Sequence, residues 1–121
     1  MTLKEIADAL IEACRTGSER QMLDDLYDPD ALSVEPMDFG TGRVTEGLQG
    51  IHGKHDWWAE TFETLEQTVS GPFLHGDDRF AVIFHVTARK RDSAEVIPMQ
   101  EVAIYHVADG RIVREEFFAT P

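Results

Sequence analysis

The chain has 121 residues, 42% of them hydrophobic and 28% charged, a length and balance that fit one globular domain over 1–121 and exclude a disordered or staple-dependent chain. Its formal net charge of −12 argues against nucleic acid and against anionic membrane surfaces as partners. No stretch is long and apolar enough to span a bilayer and no leader-like segment opens the sequence, so a cytoplasmic location is expected; the single cysteine, Cys14, reads as a small buried hydrophobe rather than a nucleophile.

Leu3, Ile6, Ala7, Leu10, Ile11 and Cys14 recur at helical spacing and predict a first helix over 2–15. Thr2 with Glu5 has the form of a capping box, and Gly17 supplies the stop. Ser18 is expected to cap a second helix with Met22, Leu26 and Tyr27 on one side, halted by Pro29 and Asp30. A short strand over 31–35 follows. Residues 36–50 hold four glycines and a proline, which predicts a loop long enough to be functional. A third helix is expected over 51–62, with Ile51, His55, Trp58 and Phe62 toward one side.

From there turn signals separate extended runs, as in antiparallel strands. Strands are expected over 64–74, interrupted by Gly71-Pro72, then over 80–89, 96–107 and 112–119, with Asp109-Gly110 as a hairpin signal. Helices followed by a meander give an α+β layering, helices on one sheet face, with an enclosed pocket between the layers. Phe80, Val82, Phe84 and Val86 alternate with Ala81 and Ile83, and Val102 and Ile104 alternate with Ala103, Tyr105 and Val107. A sheet apolar on both faces is covered on both. The helices cover one; a second copy of the chain would cover the other, so a homodimer through the outer sheet face is expected.

Four stretches together carry a likeness over nearly the whole chain: Tyr27-Asp28-Pro29-Asp30-Ala31 ahead of Ser33-Val34-Glu35-Pro36; Gly50-Ile51-His52-Gly53-Lys54 running into Trp57-Trp58; Gly71-Pro72-Phe73 with the segment from Gly76 to Val82; and Glu101-Val102-Ala103-Ile104-Tyr105 through Asp109-Gly110 to Phe117-Phe118. In these the chain resembles the nuclear-transport-factor-2-like superfamily, in its SnoaL-like polyketide-cyclase and ketosteroid-isomerase-like branch. The resemblance implies a cone-shaped fold, three N-terminal helices on a strongly curved antiparallel or mixed sheet enclosing a pocket, and usually a homodimer. It implies a small apolar ligand or substrate, and either cofactor-free acid–base chemistry beside a carbonyl (isomerisation, cyclisation, dehydration) or non-catalytic binding or sensing. Fold analogy alone does not choose between these.

Glu35 leads the catalytic candidates: by resemblance it stands where ketosteroid isomerases carry a general-base aspartate, and a carboxyl in an apolar pocket has a raised pKa. The alternative is a strand-end carboxylate that binds loop N–H groups. Glu101 lies mid-strand among apolar residues and would need a partner if buried, with His85 or Arg89 as candidates across the hairpin; alternatively it forms an ion pair at the dimer contact. His55 and Trp58 share a helix face as polar anchor and pocket wall, or as surface and core residues. Tyr105 would offer a phenol to the pocket or be a satisfied core group, Phe117 or Phe118 and Phe62 are candidate pocket walls, and one of Glu115 and Glu116 should point inward. His52 and Lys54 are expected at the helix start, facing solvent. By resemblance Leu10 and Ala103 stand where the isomerases place their oxyanion-hole tyrosine and aspartic acid, so that route lacks its donors. No metal-type cluster, phosphate loop or Ser/His/Asp pattern is recognisable, and chemistry without metal or cofactor is expected.

Overall fold

Capping decides where the chain first becomes helical. The Thr2 hydroxyl accepts from the Glu5 backbone N–H at 3.1 Å and the Glu5 carboxylate accepts from the Thr2 N–H at 2.9 Å, so the expected capping box is present at the start of α1, Leu3–Thr16. Gly17, at φ 71°, ends the helix in the left-handed conformation that glycine adopts without steric cost. The computed structural model describes residues 1–38 and 40–119. The inward stripe of α1 is Ile6, Ala7, Leu10, Ile11, Ala13 and Cys14. Burial pushes the Cys14 thiol up to about 12, so it packs as a protonated thiol.

Helix α2 spans Glu19–Leu26. Ser18 stands at its N-cap as expected, but its side chain makes no cap hydrogen bond; the hydroxyl lies 2.8 Å from that of Thr16 instead. The helix also ends before Tyr27, which opens strand β1, Tyr27–Val34. Pro29 accounts for the early stop: it has no N–H to give a helix and biases Asp28 toward extended backbone. Inside the expected loop 36–50, of which residue 39 lies outside the described residues, the structure places a short strand, β2, Val44–Glu46, paired antiparallel with β1. Helix α3 then runs Leu48–Thr61, starting before the expected residue 51. Gly50 permits that early start: a Cβ there would meet the Thr45 side chain at 2.6 Å.

The remaining strands are β3, Phe62–His75, β4, Arg79–Lys90, β5, Val96–Ala108, and β6, Arg111–Phe118. They form one six-stranded sheet in the order β2-β1-β6-β5-β4-β3. All neighbours are antiparallel except β1 and β6, which are parallel. The fold is therefore α+β, with three helices on a mixed sheet. Register breaks at Thr64/Glu66, at Ser70/Phe73 around Gly71-Pro72, at Tyr27/Leu32 and at His106/Val107 bend the strands and supply the curvature.

Register sorts the faces. Phe80, Val82 and Phe84 lie opposite Tyr105, Ala103 and Glu101, and Ala103 and Tyr105 lie opposite Phe117 and Glu115. This inner face packs on Ile6, Leu10, Leu23, Leu26 and Ile51. The outer face carries the row Ser70, Ile83, Val102, Phe118 and the row Phe73, Ala81, Ile104, Glu116. Among the described residues no helix is long and apolar enough to cross a membrane.

Candidate functional site

Parallel pairing of β1 and β6 sets Ser33 beside Glu115. The pleat of β5 puts Glu101, Ala103 and Tyr105 on the same inner face, and Glu35 follows β1 directly. Helix α3 brings Lys54 to this group. It stands three residues after the fully buried Ile51, on the stripe that faces the sheet.

A chain of polar contacts results. Tyr27 donates its hydroxyl proton to Glu115 Oε1, and Ser33 Oγ donates to Glu115 Oε2 at 2.6 Å. The Lys54 ammonium donates to Ser33 Oγ at 2.5 Å and forms an ion pair with Glu35. Its Nζ also lies 5.4 Å from the centre of the Phe117 ring, within cation–π range. The side chains of Glu35 and Lys54 keep 24% and 26% of their exposure, while Glu115 is 3% exposed. The group thus grades from a wet end at Glu35 to a dry end at Glu115.

Glu101 differs from the other two carboxyls. Among the described residues no hydrogen bond or ion pair engages it. Burial, then the charge of Glu35, raises its pKa to about 6, against the opposing pull of Lys54. Burial also raises the Glu115 carboxyl, while the bonds from Ser33 and Tyr27 work the other way. Burial and the neighbouring Glu115 carry the Tyr27 and Tyr105 phenols well above their ordinary value, so both stay neutral. Among the described residues no group of three or more His, Cys, Asp or Glu side chains is placed to hold a metal ion.

The structure therefore brings together Glu35, Glu101, Tyr105 and Phe117 from the sequence candidates. His85 falls elsewhere. It lies opposite Gln100 and Thr68 on the outer face, so the register does not allow the candidate His85–Glu101 pair; Phe84 is the residue opposite Glu101. Nor does Arg89 reach Glu101: it lies opposite Val96 and pairs with Glu63 at 3.6 Å. Trp58 and Phe62 stack on each other at 4.4 Å at the C-terminal end of α3, outside the polar group around Lys54.

His55 is half-buried toward α2, where Arg20 pairs with Asp56 at 3.0 Å. Burial, then the charges of Lys54 and Arg20, lowers its pKa to about 4. The folded value lies below the ordinary 6.5, so the unfolded chain takes up the proton first. Its contribution to stability is whole above pH 6.5 and is lost as pH falls toward 4. His55→Gln is expected to remove roughly 1–3 kcal/mol of that acid-side loss. Urea unfolding at pH 4.5 and 7.5 checks this; an unchanged difference between the two pH values contradicts it.

Two positions expected at the surface are not there. The side chain of Lys54 is three-quarters covered, and that of His52 is 13% exposed, with Nε2 2.9 Å from Asp24 Oδ1 but poorly aligned for a hydrogen bond. Glu115, not Glu116, points inward; Glu116 pairs with Arg114 on the outer face at 2.9 Å. The expected enclosed pocket is also filled differently. One cleft of about 510 Å³, lined by Glu66, Thr68, His85 and Pro98 among others, opens on β3–β5, and another of about 370 Å³ lies at Glu60, Thr61, Arg91 and Asp92. Neither touches Glu35 or Glu101. Lys54 itself takes the space between Glu35, Ser33 and Phe117.

A family model described as SnoaL-like domain matches residues 1–119. Among solved structures, the chain is similar to a protein of Mesorhizobium loti provisionally assigned as a SnoaL-like polyketide cyclase: 30% identity, TM-score 0.90, covering 98% of this chain and 99% of that one. It is also similar to a provisionally assigned SnoaL-like polyketide cyclase of Jannaschia, at 17% identity and TM-score 0.77, covering 94% and 82% of the two chains. A protein of Catenulispora acidiphila with a ketosteroid isomerase-like fold, solved in complex with trimethylamine, matches at 17% identity and TM-score 0.74, covering 99% and 88%. The last two likenesses show the fold alone. No curated protein matches the chain.

Proposed function

The chain belongs to the SnoaL-like domain family, and within it we propose that the protein is a cofactor-free acid–base enzyme acting on an apolar substrate beside a carbonyl group. The observation that carries this reading is Glu101, half-buried on the inner face with no partner among the described residues and next to an ion-paired lysine. A carboxyl whose pKa lies near 6 is largely ionised at neutral pH yet basic enough to accept a proton. In the proposed step Glu101 takes the proton from the carbon next to the carbonyl. The C–H electron pair passes into the enolate, whose oxygen meets the third N–H of Lys54, the first two being held by Glu35 and Ser33. Return of the proton at the same or another carbon completes an exchange or an isomerisation. Glu35, the base expected from the sequence, serves here as the counter-ion that holds Lys54. Phe117 and Phe84 wall the substrate beside the held Lys54 ammonium.

The test is exchange of α-protons for deuterium from a panel of apolar ketones in D₂O, followed by NMR. Wild-type protein should catalyse exchange with a limb near pH 6, and Glu101→Gln should not. Equal exchange by both would remove Glu101 from the chemistry. A non-catalytic ligand-binding domain is the second reading, favoured by one observation: Glu35 is ion-paired with Lys54, and both Glu115 oxygens accept from Tyr27 and Ser33. It predicts ligand binding with no exchange at any pH.

The outer face supports self-association. Phe73 and Phe118 are 52% and 47% exposed at opposite ends of an apolar band that includes Ile83, Val102 and Ile104. A homodimer through this face is expected, and sedimentation equilibrium measures it. A monomer at micromolar concentration would contradict it.

A further inference from the structure

Glu115 takes no part in the steps above, although it is a fully enclosed acid at the centre of the polar chain. We propose that Glu115 is a positioning residue: through Ser33 it fixes the Lys54 ammonium beside Glu35 and near Glu101. The inference rests on the acid–base reading of the same site.

Proton bookkeeping fixes the direction of every bond. Lys54 can only donate, so Ser33 Oγ accepts from it and must send its single proton on to Glu115 Oε2. Tyr27 remains a neutral phenol and sends its proton to Oε1. A proton on Glu115 would displace one of these two donors and leave a buried hydroxyl without an acceptor, which is costly. The array is complete only with Glu115 as an anion, and the charge that answers it is Lys54, one hydroxyl away.

Two consequences follow. Ser33 has one orientation, so its lone pair faces Lys54 and holds the ammonium in place. And Glu101 feels two fixed anions. The charged and titratable groups around Glu101 are Glu35 from the end of β1, Lys54 from α3, Glu115 from β6 and Tyr105 on its own strand. Those around Glu115 are Tyr27 and Glu35 at the two ends of β1, Lys54, Tyr105 and, from α1, Cys14.

The experiment needs no substrate. Ammonium-proton exchange of Lys54 and carboxyl titration of Glu101 are followed by heteronuclear NMR in wild type, Ser33→Ala, Ser33→Thr and Glu115→Gln. Ser33→Ala is expected to speed exchange of the Lys54 ammonium about tenfold, the equivalent of one lost hydrogen bond, and Ser33→Thr to restore it. Glu115→Gln is expected to speed Lys54 exchange as well and to shift the Glu101 midpoint away from about 6, since both the Glu115 charge and the position of Lys54 act on it. Unchanged exchange in folded Ser33→Ala, or an unmoved Glu101 midpoint in Glu115→Gln, overturns the inference. If Glu115→Gln does not fold, the serine pair decides. Positive results in a protein that exchanges no α-protons would keep Glu115 as the residue that places Lys54 and remove only the catalytic reading.

Discussion

Glu101→Gln is expected to lower turnover about 10²- to 10⁴-fold, the usual contribution of a positioned general base, while making the protein more stable at neutral pH. Both effects share one cause. The folded pKa of Glu101, about 6, lies above its ordinary 4.5, because burial and Glu35 disfavour the anion. A raised value contributes stability that is fully present below pH 4.5 and lost as pH rises through 6. The loss is about 1–2 kcal/mol at pH 7.5 after allowing for residual solvent access. Glutamine keeps the shape of the neutral acid and cannot ionise, so the variant escapes that loss. Urea unfolding at pH 4 and 7.5 should show the variant equal to wild type in acid and more stable near neutrality. His55 acts in the opposite sense over an overlapping window, so the curves of the two proteins, not either curve alone, carry the signal. A variant less stable at pH 7.5 would mean that Glu101 has a partner in solution.

Lys54→Met is expected to cost about 2–4 kcal/mol at pH 7.5, since removing the cation of a largely buried pair strands its anions. Here the stranded anions are Glu35 at the wetter end and Glu115 at the dry end, with Glu101 beside them. Methionine fills a similar volume and can lie against Phe117, so little of the loss comes from packing. The sign with pH is distinctive. Without the ammonium Glu101 and Glu115 are harder to ionise in the fold, so stability should recover as pH falls toward 5 and these acids protonate. Thermal unfolding across pH 5–8 measures it. A loss independent of pH would point to packing and away from the charge arrangement.

Most of the fold was legible because its signals are local. The stripe of α1, its capping box, the strand alternation and the Asp109-Gly110 turn each report on neighbours within a few residues. The site was legible only in part, since it depends on parity and on pairing over long sequence separations. Counting alternate residues from Ile112 would send Arg114 and Glu116 inward; the register break at His106/Val107 reverses that parity and turns Glu115 in. Lys54 was misread because the helix was started at Ile51. Once α3 begins at Leu48, position 54 lies in its second turn, on the stripe of Ile51. The face of His85 depends on the hairpin register: with Phe84 opposite Glu101, His85 falls on the face of Ala81 and Ile83, away from Glu101. The role of Tyr27 was hidden by its apparent place in a helix that Pro29 ends early.

Strand β6, made after all its sheet partners, is not at the border of the sheet but between β1 and β5. A growing polypeptide that stops short of residue 111 has the two flanks of its sheet and nothing to join them, and Ser33 has no Glu115, 82 residues onward. Such non-local closure is slow relative to local helix formation. The ribosome must therefore release the chain through β6 before the carboxylate group can assemble, and until then the apolar rims of β1 and β5 stand open to chaperones or to a neighbouring nascent copy.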